Sequence, residues 1–396
     1  DWNHLRIRVE KDGIRCYVND LEVVVSSDQN LRGGRPGFVS FRGTEAAFRR
    51  FSFGHEVPRF QPADAVWTQI EKATAGFQEI DPSNATLVEL LAGVGSTAVA
   101  ALELKSDSLL RQSDQLRVLA AEVHHHQTIE KLSDEVAVDD EKIDTFRAAL
   151  QIARLDNQEL DCEASLADLR RLSASIKTRL PVDASDSDRL GMLDQVFFSE
   201  LGFHGSHGDY YNRSNSYVNE VLDDREGIPI TLAVVYMELA KSLGVEIYGI
   251  GFPGHFLVRF DATDGDSEWI DVFERGKRLT RENLVERLLE QTGESLNDSH
   301  LETSTSREIL SRMLNNLLTI AIQEKDAQSM LRYLDAMLAL RPDSARSHFL
   351  RMLTARQLNE SEIAKRDARW LLIQQPSGID LAMVKRLLQA LEADSD

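Results

Sequence analysis

Residues 209–260 read DYYNRSNSYVNEVLDDREGIPITLAVVYMELAKSLGVEIYGIGFPGHFLVRF, and after a polar turn the chain resumes as EWIDVF over 268–273. Gly227-Ile228-Pro229 marks a helix start, because proline suits the first turn, where its missing N–H is not needed. That helix carries apolar residues on nearly every side and is expected to run buried over 228–243. Next, 255–260 alternates as a strand does, with Phe256, Val258 and Phe260 on one face and His255 and Leu257 on the other. Residues 261–267 have a turn composition, and 268–273 alternates again. A hairpin that pairs Phe260 with Glu268 makes His255 and Asp271 diagonal neighbours on one face, roughly 5–8 Å apart at the backbone. A carboxylate placed there can fix the imidazole tautomer and stabilise its charged form. His255 and Asp271 are therefore the candidate catalytic pair, a general base and its orienter. A nucleophile would belong at the start of the 228–243 helix, where backbone N–H groups and the helix dipole favour a thiolate. The residue there is Pro229, which cannot attack anything.

The run NSYVNEVLDDREGIPITLAVVYMELAKSLG followed by GFPGHFLVRF resembles the transglutaminase-like superfamily, and within it the bacterial SirB-type branch. The resemblance covers about residues 135–375. The wider superfamily carries a G-x-C helix start, a later His opening a strand, and then an Asp. Laid over this chain, Gly227 matches the glycine, Pro229 falls on the cysteine, His255 on the histidine and Asp271 on the aspartate. The resemblance implies a papain-like α+β core over 135–300 that has lost its thiol nucleophile. It further implies a protein-binding or scaffold module that takes a protein or peptide partner through the central cleft and the repeat groove described below. The alternative is a hydrolase or transamidase of peptide or amide bonds. In that reading His255 acts as general base, Asp271 orients it, and water or a substrate hydroxyl attacks; one base can contribute roughly 10²–10⁴-fold.

The chain has 396 residues, enough for two to four domains. Its 45 basic and 65 acidic residues leave a net charge of −20, so nucleic acid and anionic membranes should repel it. No apolar run approaches the ~18 residues that span a bilayer. The two cysteines, Cys16 and Cys162, fall in different parts of the chain. They give neither a disulfide framework nor a metal site, and a reducing compartment, the cytoplasm, is expected. No cofactor is expected. The chain begins at Asp1 instead of Met, as a fragment would, and an N-terminal targeting signal could precede it.

The expected fold is multidomain α+β. Residues 1–56 alternate as short strands, at Leu5–Val9, Ile14–Val18, 21–25, 38–41 and 48–53. WNHLRIRVEKDGIRCYVND, GGRPGFVSFRG and FRRFSF resemble the end of a laminin-G or concanavalin-like sandwich, as in keto-disaccharide hydrolase-like domains. This implies a partial β-sandwich and a third function, association with carbohydrate. After a proline-containing linker, 63–133 reads as helices. A cap is expected at 81–83, and the stretches 98–104 and 116–123 are expected to form an antiparallel pair like one HEAT repeat. His124, His125 and His126 point about 100° apart and cannot converge on a metal, so they read as a solvated helix end. Cys162 begins a helix beside Asp161 and Glu163, which oppose thiolate formation. The loop with His204, His207, Asp209, Tyr210 and Tyr211 approaches the cleft. Asn212, Asn215 and Asn219 could line a pocket, or serve as a turn, a cap and a surface position. Over 304–393 the helical faces Ile309–Ala321, Leu331–Leu338 and Phe349–Leu358 repeat. The interval from Pro342 to Pro376 is 34 residues, the tetratricopeptide period.

Overall fold

The structure is a computed structural model and describes residues 5–10, 13–18, 21–27, 53–54, 64–73, 83–93, 97–262 and 267–393. The chain divides into two compact units, 1–119 and 120–396. In the first, β1 (Leu5–Val9), β2 (Ile14–Val18) and β3 (Leu21–Ser26) form an antiparallel meander with Ile7 opposite Cys16 and Cys16 opposite Val24. The expected strands at 38–41 and 48–52, the linker and most of the turn at 261–267 lie outside the described residues. Helices α1 (Asp64–Ala73) and α2 (Ala85–Ala92) meet the start of α3 (Thr97–Glu135) around a small core of Ile70, Leu91, Ala98 and Ala101. The cap of α2 is Asn84, whose side chain accepts from the Leu87 N–H, instead of a residue at 81–83.

The antiparallel pair expected over 98–123 is instead one continuous helix, α3, of 39 residues. Nothing in 105–115 breaks it. The stretch KSDSLLRQSDQ contains neither Gly nor Pro, and its Leu, Lys, Arg and Gln residues are good helix formers that carry the helix past its Ser and Asp positions. Nor is the histidine run a solvated end. It lies mid-helix in the second unit, His126 exposed but His124 and His125 half-buried, with His124 Nε2 2.7 Å from the Arg154 carbonyl oxygen and His125 Nε2 2.9 Å from Asp335.

The second unit continues with α4 (Thr145–Arg154), α5 (Cys162–Lys177) and α6 (Asp186–Asp194), the last running on into a π-helical turn. Two-residue strands β4 (His204–Gly205) and β5 (Glu226–Gly227) pair in parallel around α7 (Val218–Asp224). Then α8 (Pro229–Ser242) passes through the centre. Pro229 sits in its first turn, and ten of its 14 residues are buried, from Pro229 through Tyr236 and then Leu239 and Ala240. It touches α4, α5, α6, α7 and α10 (Ser306–Glu324), and it lies on the sheet. That sheet is antiparallel, in the order β6 (Ile247–Ile250), β7 (Leu257–Asp261), β8 (Ser267–Asp271), β9 (Lys277–Leu279).

The hairpin register is the expected one: Phe260 faces Glu268 and Val258 faces Ile270. Phe256, Val258 and Phe260 join the main core with α8, whereas Leu257 joins Ile250, Phe252, Leu284 and Leu288 beneath α9 (Arg281–Thr292). The strand differs from expectation at its start. It begins at Leu257, because Gly254 takes a left-handed φ of +66° and the His255 N–H donates to the Phe252 carbonyl (3.0 Å), closing a turn. His255 therefore sits on a turn that leads into the strand.

The C-terminal helices are α10, α11 (Ala327–Leu340), α12 (Ala345–Gln357), α13 (Ser361–Gln374) and α14 (Leu381–Ala393). Each packs on the next, and the expected face of α10 is buried; on α11 Leu334 and Leu338 are buried, but Leu331 and Met337 are half-buried, and Tyr333, Ala336 and Leu340 lie inside. α12 departs from the sequence reading. Phe349, Leu350 and Leu353 are half-buried, and the buried side chains include His348, Arg351 and Thr354. Arg351 grips Asp367 with two nitrogens (2.8 and 2.7 Å) and reaches Asp335 at 2.7 Å, while His348 Nδ1 lies 2.8 Å from Asp367. Charges buried this way persist because each is paired and hydrogen-bonded.

Candidate functional site

The hairpin and the turn before it bring His255 and Asp271 together, with Nε2 of the ring 2.8 Å from Asp271 Oδ1. Asp271 ends β8 and is fully buried; the His255 side chain is 9% exposed. A second cation completes the carboxylate, as Arg287 on α9 donates to Oδ2 at 2.8 Å. The Glu274 N–H donates to Oδ1 at 3.3 Å. Burial pushes the Asp271 carboxyl up, but the hydrogen bonds and charges of His255 and Arg287 outweigh that and hold it below the ordinary carboxylate range. An ionised Asp271 accepts from the Nε2–H of His255. In the neutral ring the acceptor lone pair then lies on Nδ1, so a proton taken from a ligand would go there.

Phe273 connects this pair to the start of α8. Its ring meets His255 edge to face at 5.9 Å and His207 at 4.7 Å, with Tyr210 at 6.2 Å. Gly205 lies directly against Phe273. Its N–H donates to the Phe273 carbonyl at 3.0 Å, and a Cβ there would come within 2.4 Å of the ring. The next residue, Ser206, donates its N–H to the Gly227 carbonyl at 3.0 Å, and Gly227 leads into Pro229. The hydroxyl on the first turns of α8 belongs to Thr231. It donates to the carbonyls of Asn215 (2.6 Å) and Ile228 (3.1 Å) and is fully buried. Among the described residues, no Cys, Ser or Thr side chain hydrogen-bonds to the His255 ring. Cys162 is in α5, where burial pushes its thiol up, and Cys16 is in β2 of the other unit.

The remaining expected residues divide between buried frame and exposed surface. Asn212 caps a short 3₁₀ turn by accepting from the Ser214 N–H, and it donates to Asp209 at 2.8 Å. Asn215 is buried and donates to the Asp209 carbonyl at 2.7 Å, which ties the loop to α8. Asn219 is buried too, not a surface position, and donates to Glu220 at 2.8 Å. His204 Nδ1 lies 2.9 Å from the Gly202 carbonyl oxygen. His207, Tyr210 and Tyr211 are exposed. Sequence reading missed Arg287 and Arg312. Arg312, on α10, donates to the carbonyls of His255 (3.0 Å) and Phe252 (3.2 Å) and so braces the turn that presents the histidine. Both arginines sit on helices whose apolar stripe gives no hint of what lies opposite. Among the described residues, no group of three or more His, Cys, Asp or Glu is placed to hold a metal, and no helix is long and apolar enough to cross a membrane.

Residues 163–315 match the transglutaminase-like superfamily. A UPF0162 protein of Xylella fastidiosa is 34% identical over 255 residues, which is 63% of this chain and 90% of that protein. The chain belongs to the UPF0162 family. Another UPF0162 protein, from Vibrio cholerae, is 25% identical over 259 residues, 65% of this chain and 96% of that one. Human F-box only protein 21 is 35% identical over 167 residues, 40% of this chain but 26% of its own length. No solved structure matches the chain. This UPF0162 chain thus holds His255 and Asp271 in contact and carries Pro229 in the first turn of α8.

Proposed function

We propose that this UPF0162 protein is a binding or scaffold module for a protein or peptide, built on a transglutaminase-like core without a thiol nucleophile. The observation that carries this reading is the start of α8. Pro229 fills its first turn, and the Thr231 hydroxyl is spent on two backbone carbonyls. Asp271, bound by both His255 and Arg287, holds the turn and α9 together and so has a structural task of its own. The partner would engage the exposed His207, Tyr210 and Tyr211, which lie around the buried Phe273 ring, and the groove of the C-terminal helices. A cavity of about 140 Å³ lies in that groove, lined by Asn315, Leu318, Met337, Arg341, Arg346 and Leu350 among others. We read α10–α13 as two tetratricopeptide-like pairs. In support, α11 and α13 are each 14 residues long and start 34 residues apart. The shared segment also occupies a minor part of the much longer F-box only protein 21, as a transferable module would. The cytoplasm is the setting we expect for a chain with two free cysteines.

The second reading, a hydrolase or transamidase with His255 as general base, is favoured by the 2.8 Å His255–Asp271 contact. A third, carbohydrate association through β1–β3, rests on the sequence resemblance. Assays for amide hydrolysis and transamidation separate the first two. The scaffold reading expects no such activity in the wild type, partner binding that survives iodoacetamide, and new thiol reactivity at neutral pH in Pro229→Cys, since a thiol there gains the helix dipole. Wild-type activity that disappears in His255→Ala overturns it in favour of the enzyme.

A further inference from the structure

Among the described residues, helix α3 carries an uncovered seam. Leu102, Leu109, Leu116 and Val123 recur every seven residues and are 36–66% exposed. Interleaved at the same interval are Val99, Ser106, Ser113 and Ala120, also exposed. The combined steps alternate three and four, which places all eight on one stripe of the helix. The repeat spans three and a half heptads, with six apolar residues and two serines on the stripe. Over 109–120 every residue is exposed, so this length of α3 has no packing of its own among the described residues. A helix this open is marginal in water.

From these observations we infer that α3 pairs with α3 of a second copy of the chain, in antiparallel order. The stripe alternates a large position with a small one. In a parallel pair Leu would face Leu and Ser would face Ser, leaving voids at every second layer. Antiparallel pairing about a two-fold axis near Arg111 puts large against small instead. Leu109 then meets Ser113 of the second copy, Leu116 meets Ser106, and Leu102 meets Ala120. Val99 and Val123 close the two ends. The stripe is self-complementary in this order, as an isologous two-fold contact requires, and alternating large and small residues is how facing layers interdigitate. The flanking positions agree with it. Leu110, which is 62% exposed, meets its own copy beside the axis, and Glu103 comes level with Arg117 of the other chain. Arg117 is 80% exposed in its side chain and bound to Asp114 at 3.5 Å, a weak surface pair that it can exchange.

Sedimentation equilibrium on the full chain across a concentration series tests this. A dimer is expected. Leu109→Asp with Leu116→Asp should weaken it on the order of 100-fold or more, because each change acts twice per dimer. Circular dichroism should show the helical content of the rest unchanged, since both positions are exposed. For orientation, Ser113→Cys and Leu109→Cys chains are mixed under mild oxidation, with Cys16→Ser and Cys162→Ser in both. Antiparallel order gives the mixed disulfide, whereas parallel order joins Ser113→Cys to itself. A wild type that stays monomeric throughout, a dimer indifferent to the double aspartate, or self-linked Ser113→Cys overturns the inference.

Discussion

Asp271→Asn is the most informative single change, because it alters charge and leaves volume almost untouched. In the native site Oδ1 accepts from His255 at 2.8 Å and Oδ2 accepts from Arg287 at 2.8 Å, with the carboxylate fully buried. Asparagine offers one acceptor oxygen, and its NH₂ must confront either the imidazole N–H or the guanidinium. Two charge-assisted hydrogen bonds are lost or weakened, each of about 1.5–3 kcal/mol. Removing one partner of a buried ion pair costs ~3–5 kcal/mol. The Arg287 side chain is 27% exposed and recovers part of that by hydration, so about 2–4 kcal/mol is expected. Denaturant melts of the wild type and variant at pH 7 measure it, with an unchanged slope showing that the unfolded state is the same. The pH dependence has a fixed sign. The native carboxyl of Asp271 is held below its unfolded value, so its stabilisation is complete above the ordinary carboxylate pKa of about 3.9 and is lost as pH falls through the lower, folded value. The gap between wild type and variant should therefore narrow only below about pH 4. A gap under about 1 kcal/mol at pH 7, or one that widens on acidification, would falsify the assignment of Asp271 as an ionised anchor of the turn.

Two further outcomes follow from the packing. Gly205→Ala sets a Cβ within 2.4 Å of the Phe273 ring and should cost about 1–3 kcal/mol while shifting the His255 imidazole resonances. Gly208→Ala, with nothing within 4 Å, is its neutral control, and equal effects from the two would refute the contact path. Deleting 344–396 removes the helices packed on α11, uncovers Leu331, and should cause aggregation. A truncated chain that stays dispersed and equally stable counts against continuous packing from α11 into α12.

The parts of the fold legible in the sequence were those written in periodicity and pairing. The hairpin register could be worked out because a strand alternates with period two and a slip of one residue would turn Phe256, Val258 and Phe260 away from α8. The burial of α8 followed from its lack of a polar face. What escaped was set by contacts distant in sequence. Arg287 and Arg312 are 16 and 57 residues from the groups they hold, and nothing local marks them. The inner face of α12 was misread because an apolar criterion cannot see charges that are buried together. Arg351 and His348 look solvated until Asp367 and Asp335 are placed beside them. The misreading of α3 has a different cause. Two short apolar stretches separated by a polar one suggested a turn, when the polar residues were simply exposed positions of one helix. The interval of seven that runs through Leu102, Leu109, Leu116 and Val123 continues without a break across that polar stretch. A turn would have interrupted it, so the same residues that suggested two helices are better accounted for as one helix carrying one seam.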